Sequence, residues 1–195
     1  MSGLCEDAHH CSTSGVPTRD GQPDGFSSCM GYRYVVTVWR NGAFKPVFDA
    51  AAQYAIKNVH SGKVIDWDQD SDAAQQWTNF STGNQLWKFS QMGAGGYQIV
   101  SAANAGKCLT AVPMNADVSR VQMGSCDGSA LQTWIVGTSN GRQPESFGQY
   151  FKFENAAQTD RYLEVPEQSV DDGTTLTADG FGPDDNELWR LSLVP

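Results

Sequence analysis

Apolar positions along this chain do not recur at the three-to-four-residue spacing of an amphipathic helix. Short β-rich runs alternate instead with clusters of Gly, Asn, Asp and Ser. The runs fall at residues 32–39, 54–58, 63–66, 86–89, 97–100, 134–136, 150–154 and 188–193. Many short strands separated by turn signals predict an all-β sandwich or barrel. Residues 31–49 read as a hairpin: Tyr32-Arg33-Tyr34-Val35-Val36-Thr37-Val38-Trp39, a turn at Arg40-Asn41-Gly42, then Ala43-Phe44-Lys45-Pro46-Val47-Phe48. Asn-Gly is a strong turn signal. Two strands alone are marginal in water, so this hairpin must pack on the rest of the fold or on another chain.

Three stretches align with one another. The first contains Tyr54-Ala55-Ile56-Lys57-Asn58, Lys63-Val64-Ile65-Asp66, Gln75-Gln76-Trp77 and Asn84-Gln85-Leu86-Trp87. The second contains Tyr97-Gln98-Ile99-Val100-Ser101, Lys107-Cys108-Leu109-Thr110, Val121-Gln122-Met123 and Leu131-Gln132-Thr133-Trp134. The third contains Tyr150-Phe151-Lys152-Phe153-Glu154, Arg161-Tyr162-Leu163-Glu164 and Asn186-Glu187-Leu188-Trp189. The starting tyrosines lie 43 and then 53 residues apart, and the constant element is Gln-x-Trp, with Glu187 replacing Gln in the third copy. A unit of about four short strands cannot bury its own apolar face, but three such units can close around an axis. The expectation is a pseudo-threefold barrel with Trp87, Trp134 and Trp189 as equivalent core anchors. The flanking Gln is expected to bond backbone in the next turn.

This pattern resembles the ricin-type (QxW) β-trefoil lectins and the carbohydrate-binding modules of the same superfamily, over residues 53–195. Residues 1–52 carry none of these motifs. The fold implied is an all-β trefoil of three repeats, at about 53–95, 96–148 and 149–195, preceded by an N-terminal arm, residues 1–52, that holds the hairpin.

In that family a repeat carries a shallow sugar pocket. An Asp after the second strand bonds vicinal hydroxyls, an aromatic ring stacks on the pyranose, and a Gln and an Asn complete the polar set. These residue types suit the chemistry: a carboxylate accepts from two hydroxyls, an amide donates and accepts, and an indole covers a patch of C–H groups. In the first repeat the matching positions are Asp66, Gln75, Trp77 and Asn84, with Asn79 and Phe80 where the family places rim contacts. Trp87 already supplies this repeat's core tryptophan, so Trp77 on a loop needs another reason. The second repeat has Thr110 for the Asp, Gly124 or Met123 for the ring and Leu131 for the Asn, and reads as scaffold. The third is intermediate: Glu164 replaces Asp, Asp179 stands where the ring should be with Phe181 two residues on, and Asn186 is present. Its acidity suits a cation or an amino sugar better than neutral galactose, or is simply a solvated face.

Composition narrows the picture further. Across 195 residues, 13 Lys+Arg against 22 Asp+Glu leave a net charge of −9. That balance argues against a nucleic-acid binder, which needs a basic stripe, and against docking on anionic lipid. Residues 150–195 hold ten of the acids and three of the bases, so the acidity belongs to the third repeat. No apolar run is long enough to span a membrane as a helix. Asp66-Trp67-Asp68-Gln69-Asp70-Ser71-Asp72 looks like the start of a calcium loop, but Ser71 and Trp77 stand where an EF-hand needs Gly and Glu. Cys5, His9, His10 and Cys11 have a spacing that suits no standard zinc site. No metal or cofactor is therefore expected. With only His9, His10 and His60 as candidate bases, no catalytic constellation forms either, and the expected role is binding.

The resemblance also implies a disulfide between Cys108 and Cys126, and hence an oxidising compartment. Met1–Asp7 lacks the basic start and apolar stretch of a signal peptide. Export is therefore read from the cysteines, and bacterial export suits the sequon Asn79-Phe80-Ser81 on the rim. Cys5, Cys11 and Cys29 leave one thiol over, to join another chain or to sit inert beside a 5–11 bridge. The leading expectation is a lectin module of a secreted protein that binds terminal galactose or N-acetylgalactosamine. It would act alone or as the cell-targeting subunit of a toxin docked through residues 1–52. The other class is a β-trefoil protein-interaction module, such as a protease inhibitor.

Overall fold

The computed structural model describes the backbone of seven short strands before residue 49 and, from Phe48 onward, residues 48–138, 150–180, 182 and 184–194. The early strands are β1 (Cys5–Asp7), β2 (His10–Cys11), β3 (Thr18–Arg19), β4 (Gln22–Pro23), β5 (Phe26–Cys29), β6 (Val35–Arg40) and β7 (Ala43–Phe48). The expected hairpin is present as β6 against β7, with Arg40 opposite Ala43. Its turn at Asn41-Gly42 and its first residues, Tyr32 to Tyr34, lie outside the described residues. So do the side chains of Cys5, Cys11, Cys29, His9 and His10.

Twelve further strands fall four to a repeat. The first four are β8 (Gln53–Asn58), β9 (Val64–Trp67), β10 (Ala74–Trp77) and β11 (Trp87–Gln91). The second four are β12 (Gly96–Ser101), β13 (Lys107–Pro113), β14 (Ser119–Ser125) and β15 (Trp134–Thr138). The last four are β16 (Phe151–Asn155), β17 (Arg161–Glu164), β18 (Thr177–Gly180) and β19 (Trp189–Val194). The outer strands of the repeats pair in a closed ring: β8 with β11, β11 with β12, β12 with β15, β15 with β16, β16 with β19, and β19 back to β8. Closure leaves these six strands without an exposed edge. The inner strands form three hairpins, β9–β10, β13–β14 and β17–β18, that cap one end of the ring. This is a β-trefoil.

The three tryptophans are equivalent to the atom. Each is fully buried, and each indole N–H donates to the strand two places before it: Trp87 to the Ile65 carbonyl (3.1 Å), Trp134 to Leu109 (3.0 Å) and Trp189 to Leu163 (2.9 Å). A single turn of 3-10 helix precedes each one, at Gly83–Gln85, Ala130–Gln132 and Asp185–Glu187. The amides of Gln85 and Gln132 bond backbone behind them rather than ahead. Gln85 donates to the Thr78 carbonyl and accepts from the Phe80 N–H, while Gln132 donates to Ser125 and accepts from Asp127. Glu187 accepts from the Gly182 N–H at the same place. Lacking a donor, it pairs its second oxygen with Lys152 (3.0 Å).

One alignment needs correction. The third repeat begins on Phe151, not Tyr150: Tyr54, Tyr97 and Phe151 lie opposite Trp87, Trp134 and Trp189 respectively. A one-residue shift would turn the buried face of β16 outward. Phe151 and Phe153 are buried, whereas the Tyr150 hydroxyl accepts from Arg190 at 2.8 Å. Phe48 completes the core. Its ring stacks on Phe89 with centroids 4.1 Å apart and also meets Tyr54, Tyr97 and Phe151. Contact with all three symmetry-related rings places it near the pseudo-axis. Cys108 and Cys126 form a disulfide, with Cα atoms 5.1 Å apart.

The repeated Lys or Arg at the start of the second strand also has a role. Each takes a carboxylate from the hairpin loop of the preceding repeat: Lys107 from Asp72 (2.7 Å), Arg161 from Asp117 (3.1 Å) and Lys63 from Asp172 (2.6 Å). The three pairs run in one direction around the axis and close on themselves. Because the three indoles are structurally equivalent, Trp87→Phe, Trp134→Phe and Trp189→Phe should each destabilise the protein by a similar amount, about 2–4 kcal/mol, through a lost hydrogen bond and a cavity. Denaturant unfolding of the three variants checks this.

Candidate functional site

The β9–β10 hairpin and the 3-10 turn after it bring together the side chains singled out in the first repeat. On a strand, alternate residues share a face. Asp66 lies directly opposite Gln75 in the hairpin, and Trp77 is two positions further along the same face. Asn84 enters from the 3-10 turn. Asp66 is buried, 5% exposed, and its carboxylate is held by three amides: Gln75 on Oδ1 (3.0 Å), and Asn84 (2.9 Å) and Gln85 (3.0 Å) on Oδ2. An ionised carboxylate only accepts, so each amide must turn its NH₂ toward it.

That orientation sets the hydrogen-bonding character of the pocket. Asn84 uses its second N–H on the Trp67 carbonyl, and Gln85 uses its second on Thr78. Among the described residues, this leaves Gln75 Oε1, Asn84 Oδ1 and one acceptor position on Asp66 Oδ1 without a hydrogen-bond partner, against a single N–H of Gln75. The pocket, about 380 Å³, is therefore rich in acceptors. Asp68, Asp70 and Trp67 also line it, as do the exposed aromatic residues Trp77 and Phe80. No Lys or Arg lines it.

Trp77 and Phe80 are among the exposed large apolar side chains, at 36% and 66%. Trp67 is not: it is buried, its N–H donates to Asp72 (3.0 Å), and Lys107 lies 5.8 Å over its ring. Asn79 does not line the pocket. Its carbonyl accepts from the Ser81 N–H and caps a turn. Sequence reasoning missed Thr82, which precedes the 3-10 turn, and Gln69, Asp68 and Asp70 as pocket walls, although the place of the last three directly after the second strand was a usable signal.

The acidic loop does not gather its carboxylates. Asp68 accepts from Ser71 and from the Asp70 N–H, and the Ser71 hydroxyl holds its carboxyl below the usual range. Asp72 turns away to Lys107, whose ammonium likewise depresses it. Among the described residues, no group of three His, Cys, Asp or Glu has a metal-holding arrangement.

The hairpin registers fix the equivalent positions elsewhere. In the second repeat Thr110 faces Gln122, and the ring position is Gly124 rather than Met123, whose side chain is buried. A Cβ on Gly124 would lie 2.8 Å from the Thr110 hydroxyl and 3.3 Å from the Gln132 amide nitrogen, so a larger side chain there would require those two side chains to shift. In the third repeat Glu164 faces Thr177, and Asp179 holds the ring position. Glu164 accepts from Thr177 (3.0 Å) and Asn186 (3.1 Å). Burial pushes its carboxyl up to about 7, helped by the charges of Asp179 and Glu187 and opposed by those two bonds. Phe181 lies outside the described residues.

A family model described as "Ricin-type beta-trefoil lectin domain-like" matches residues 39–111 and 83–179. No curated protein matches the chain. Solved structures do. The designed threefold-symmetric protein ThreeFoil is 28% identical with a TM-score of 0.60, over 71% of this chain and 96% of its own. The Macrolepiota procera ricin B-like lectin, solved with lactose, is 20% identical with a TM-score of 0.60, over 74% and 96%. A mosquitocidal holotoxin is 19% identical with a TM-score of 0.66, over 76% of this chain and 18% of its own.

Glu164 yields a pH prediction. A carboxyl held near 7 in the fold and near 4.5 when unfolded binds its proton more tightly in the native state, so stability falls as pH rises between those values. Glu164→Gln removes that titration. Its melting temperature relative to wild type should therefore be more favourable at about pH 8 than at about pH 4. Thermal unfolding across this range is the measurement.

Proposed function

This chain belongs to the ricin-type β-trefoil lectin-like family, and we propose that it is a glycan-binding module with one complete pocket, in its first repeat. The observation that carries the reading is the constellation at Asp66: a buried carboxylate and the two amides that donate to it line a pocket beside an exposed indole, and the carbonyl oxygens of those amides have no partner among the described residues. Convergent acceptors call for a ligand that donates several hydroxyl protons from adjacent carbons. The indole calls for an apolar C–H face on the same ring. A pyranose meets both demands. An axial hydroxyl at carbon 4 leaves the opposite face continuous, which favours terminal galactose or N-acetylgalactosamine. The lactose complex of the Macrolepiota procera lectin is in keeping with this.

One shallow site of this kind gives about millimolar affinity, near −4 kcal/mol, and strong attachment then depends on several copies. The Cys108–Cys126 disulfide supports export of the protein to an oxidising compartment. Among the described residues no helix is long and apolar enough to cross a membrane. In its narrower form the reading makes this chain a targeting unit joined to another chain through residues 1–52; a mosquitocidal holotoxin, of which it matches 18%, shares the fold. The second reading is a protein-interaction module such as a protease inhibitor, favoured by the loss of ring and amide in the second repeat.

A glycan array followed by titration with lactose tests the reading. Wild type should bind galactose-terminated glycans as a monomer without agglutinating cells. Trp77→Ala and Asp66→Ala should each weaken lactose binding at least about tenfold. Full binding by Trp77→Ala would refute the pocket. A blank array together with inhibition in a protease assay would establish the second reading.

A further inference from the structure

We propose that the first-repeat pocket is assembled by two repeats. The third-repeat loop 169–175, gripped by Gln76, positions Trp77, and Gln76 is a positioning residue for that ring. The inference rests on the reading of the pocket as a glycan site.

Strand β10 alternates its side chains. Gln75 and Trp77 face the pocket, while Gln76 points inward and is fully buried. By hairpin register its equivalents in the other repeats are Met123 and Ala178, both buried and apolar. Only the first repeat puts an amide there. Gln76 Nε2 donates to the carbonyls of Ser169 (3.0 Å) and Asp171 (2.9 Å). Its backbone N–H donates to Thr174 (2.9 Å), and its carbonyl accepts from the Gly173 N–H (3.0 Å). One residue beyond the ring, the Thr78 N–H donates to Asp172 (2.7 Å), as does the Thr78 hydroxyl (2.9 Å to the other oxygen). The residues on both sides of Trp77 are thus tied to one loop of another repeat.

That loop also lies beside the ring. A Cβ on Gly173 would stand 3.4 Å from Trp77 Cζ3 and 3.8 Å from Gln75 Oε1. Gly173 adopts φ +84°, a conformation that glycine takes without strain. The arrangement opposes stability in one respect: Gln76 Oε1 is buried without a partner among the described residues. Met123 shows that an apolar side chain serves the same core position in the second repeat. Folding alone therefore does not account for Gln76. Holding an exposed indole in one orientation does, because a preset ring loses less freedom when a ligand stacks on it.

The decisive variant is Gln76→Met, the residue the second repeat uses. It should melt at or above the wild-type temperature, yet bind lactose about tenfold more weakly. In protein labelled with 5-fluorotryptophan, the ¹⁹F line of Trp77, assigned by its loss in Trp77→Phe, should shift or broaden. The lines of Trp87, Trp134 and Trp189 should stay. Gly173→Ala should move the same line and is the fallback if Gln76→Met does not fold. Unchanged lactose affinity with an unmoved Trp77 line overturns the proposal. So does a fall in affinity that tracks a fall in melting temperature and moves the lines of Trp87, Trp134 and Trp189 along with that of Trp77. If wild type binds neither lactose nor any arrayed glycan, the glycan reading falls, and the ¹⁹F line of the unliganded protein still decides whether Gln76 positions Trp77.

Discussion

A four-stranded repeat of this chain has an apolar face and two open backbone edges, and it can satisfy neither alone. Both are dealt with only when three repeats close the six-stranded ring. Closure explains why the indole donors sit where they do. Each buried tryptophan would leave a polar N–H stranded inside the barrel unless a strand carbonyl lay within reach, and the hairpin of its own repeat supplies one. The rest of the structure hangs on those anchors, because the 3-10 turn before each tryptophan is the element that carries the remaining pocket residues.

The amide two residues before the tryptophan links scaffold to surface. Gln85 binds the backbone of the chain leaving β10 and also holds Asp66, so one side chain fastens the turn and orients the carboxylate. In the second repeat the same amide reaches Thr110 instead (3.1 Å). In the third repeat a carboxylate replaces it, cannot donate, and takes a lysine as partner. The chemistry of the three pockets diverges while the mechanical part of the motif persists, since the two functions use different atoms of one residue.

Much of this could be read from the residues. The three anchors, four strands per repeat, the hairpin and the convergence of Asp66, Gln75, Trp77 and Asn84 follow from recurring motifs, which survive because each has a fixed geometric job. Strands β10, β14 and β18 were not legible. Strands β10 and β18 have only four residues each, and inward residues of the three, such as Gln76, Ser119 and Ala178, are not strong strand formers. The slip from Phe151 to Tyr150 has a plain cause: two aromatics adjoin, and only cross-strand pairing shows which one faces the core. Phe48 could not be assigned to the barrel because its partners are scattered over all three repeats. The support beneath Trp77 was hidden for the same reason, as it comes from residues about a hundred positions downstream.

The ring of ion pairs from Asp72, Asp117 and Asp172 to the next repeat bears on how such a protein diversifies. Each hairpin loop is encoded with one repeat but seated on its neighbour. A duplicated or transplanted repeat would bring its own pocket residues and leave behind the loop that they rest on. Sequence change in one third of the gene is therefore felt in the next third, always in the same rotational sense. The third repeat illustrates the consequence: Glu164 and Asp179 stand at its own pocket positions, while its loop holds Gln76 and Thr78 of the pocket next door.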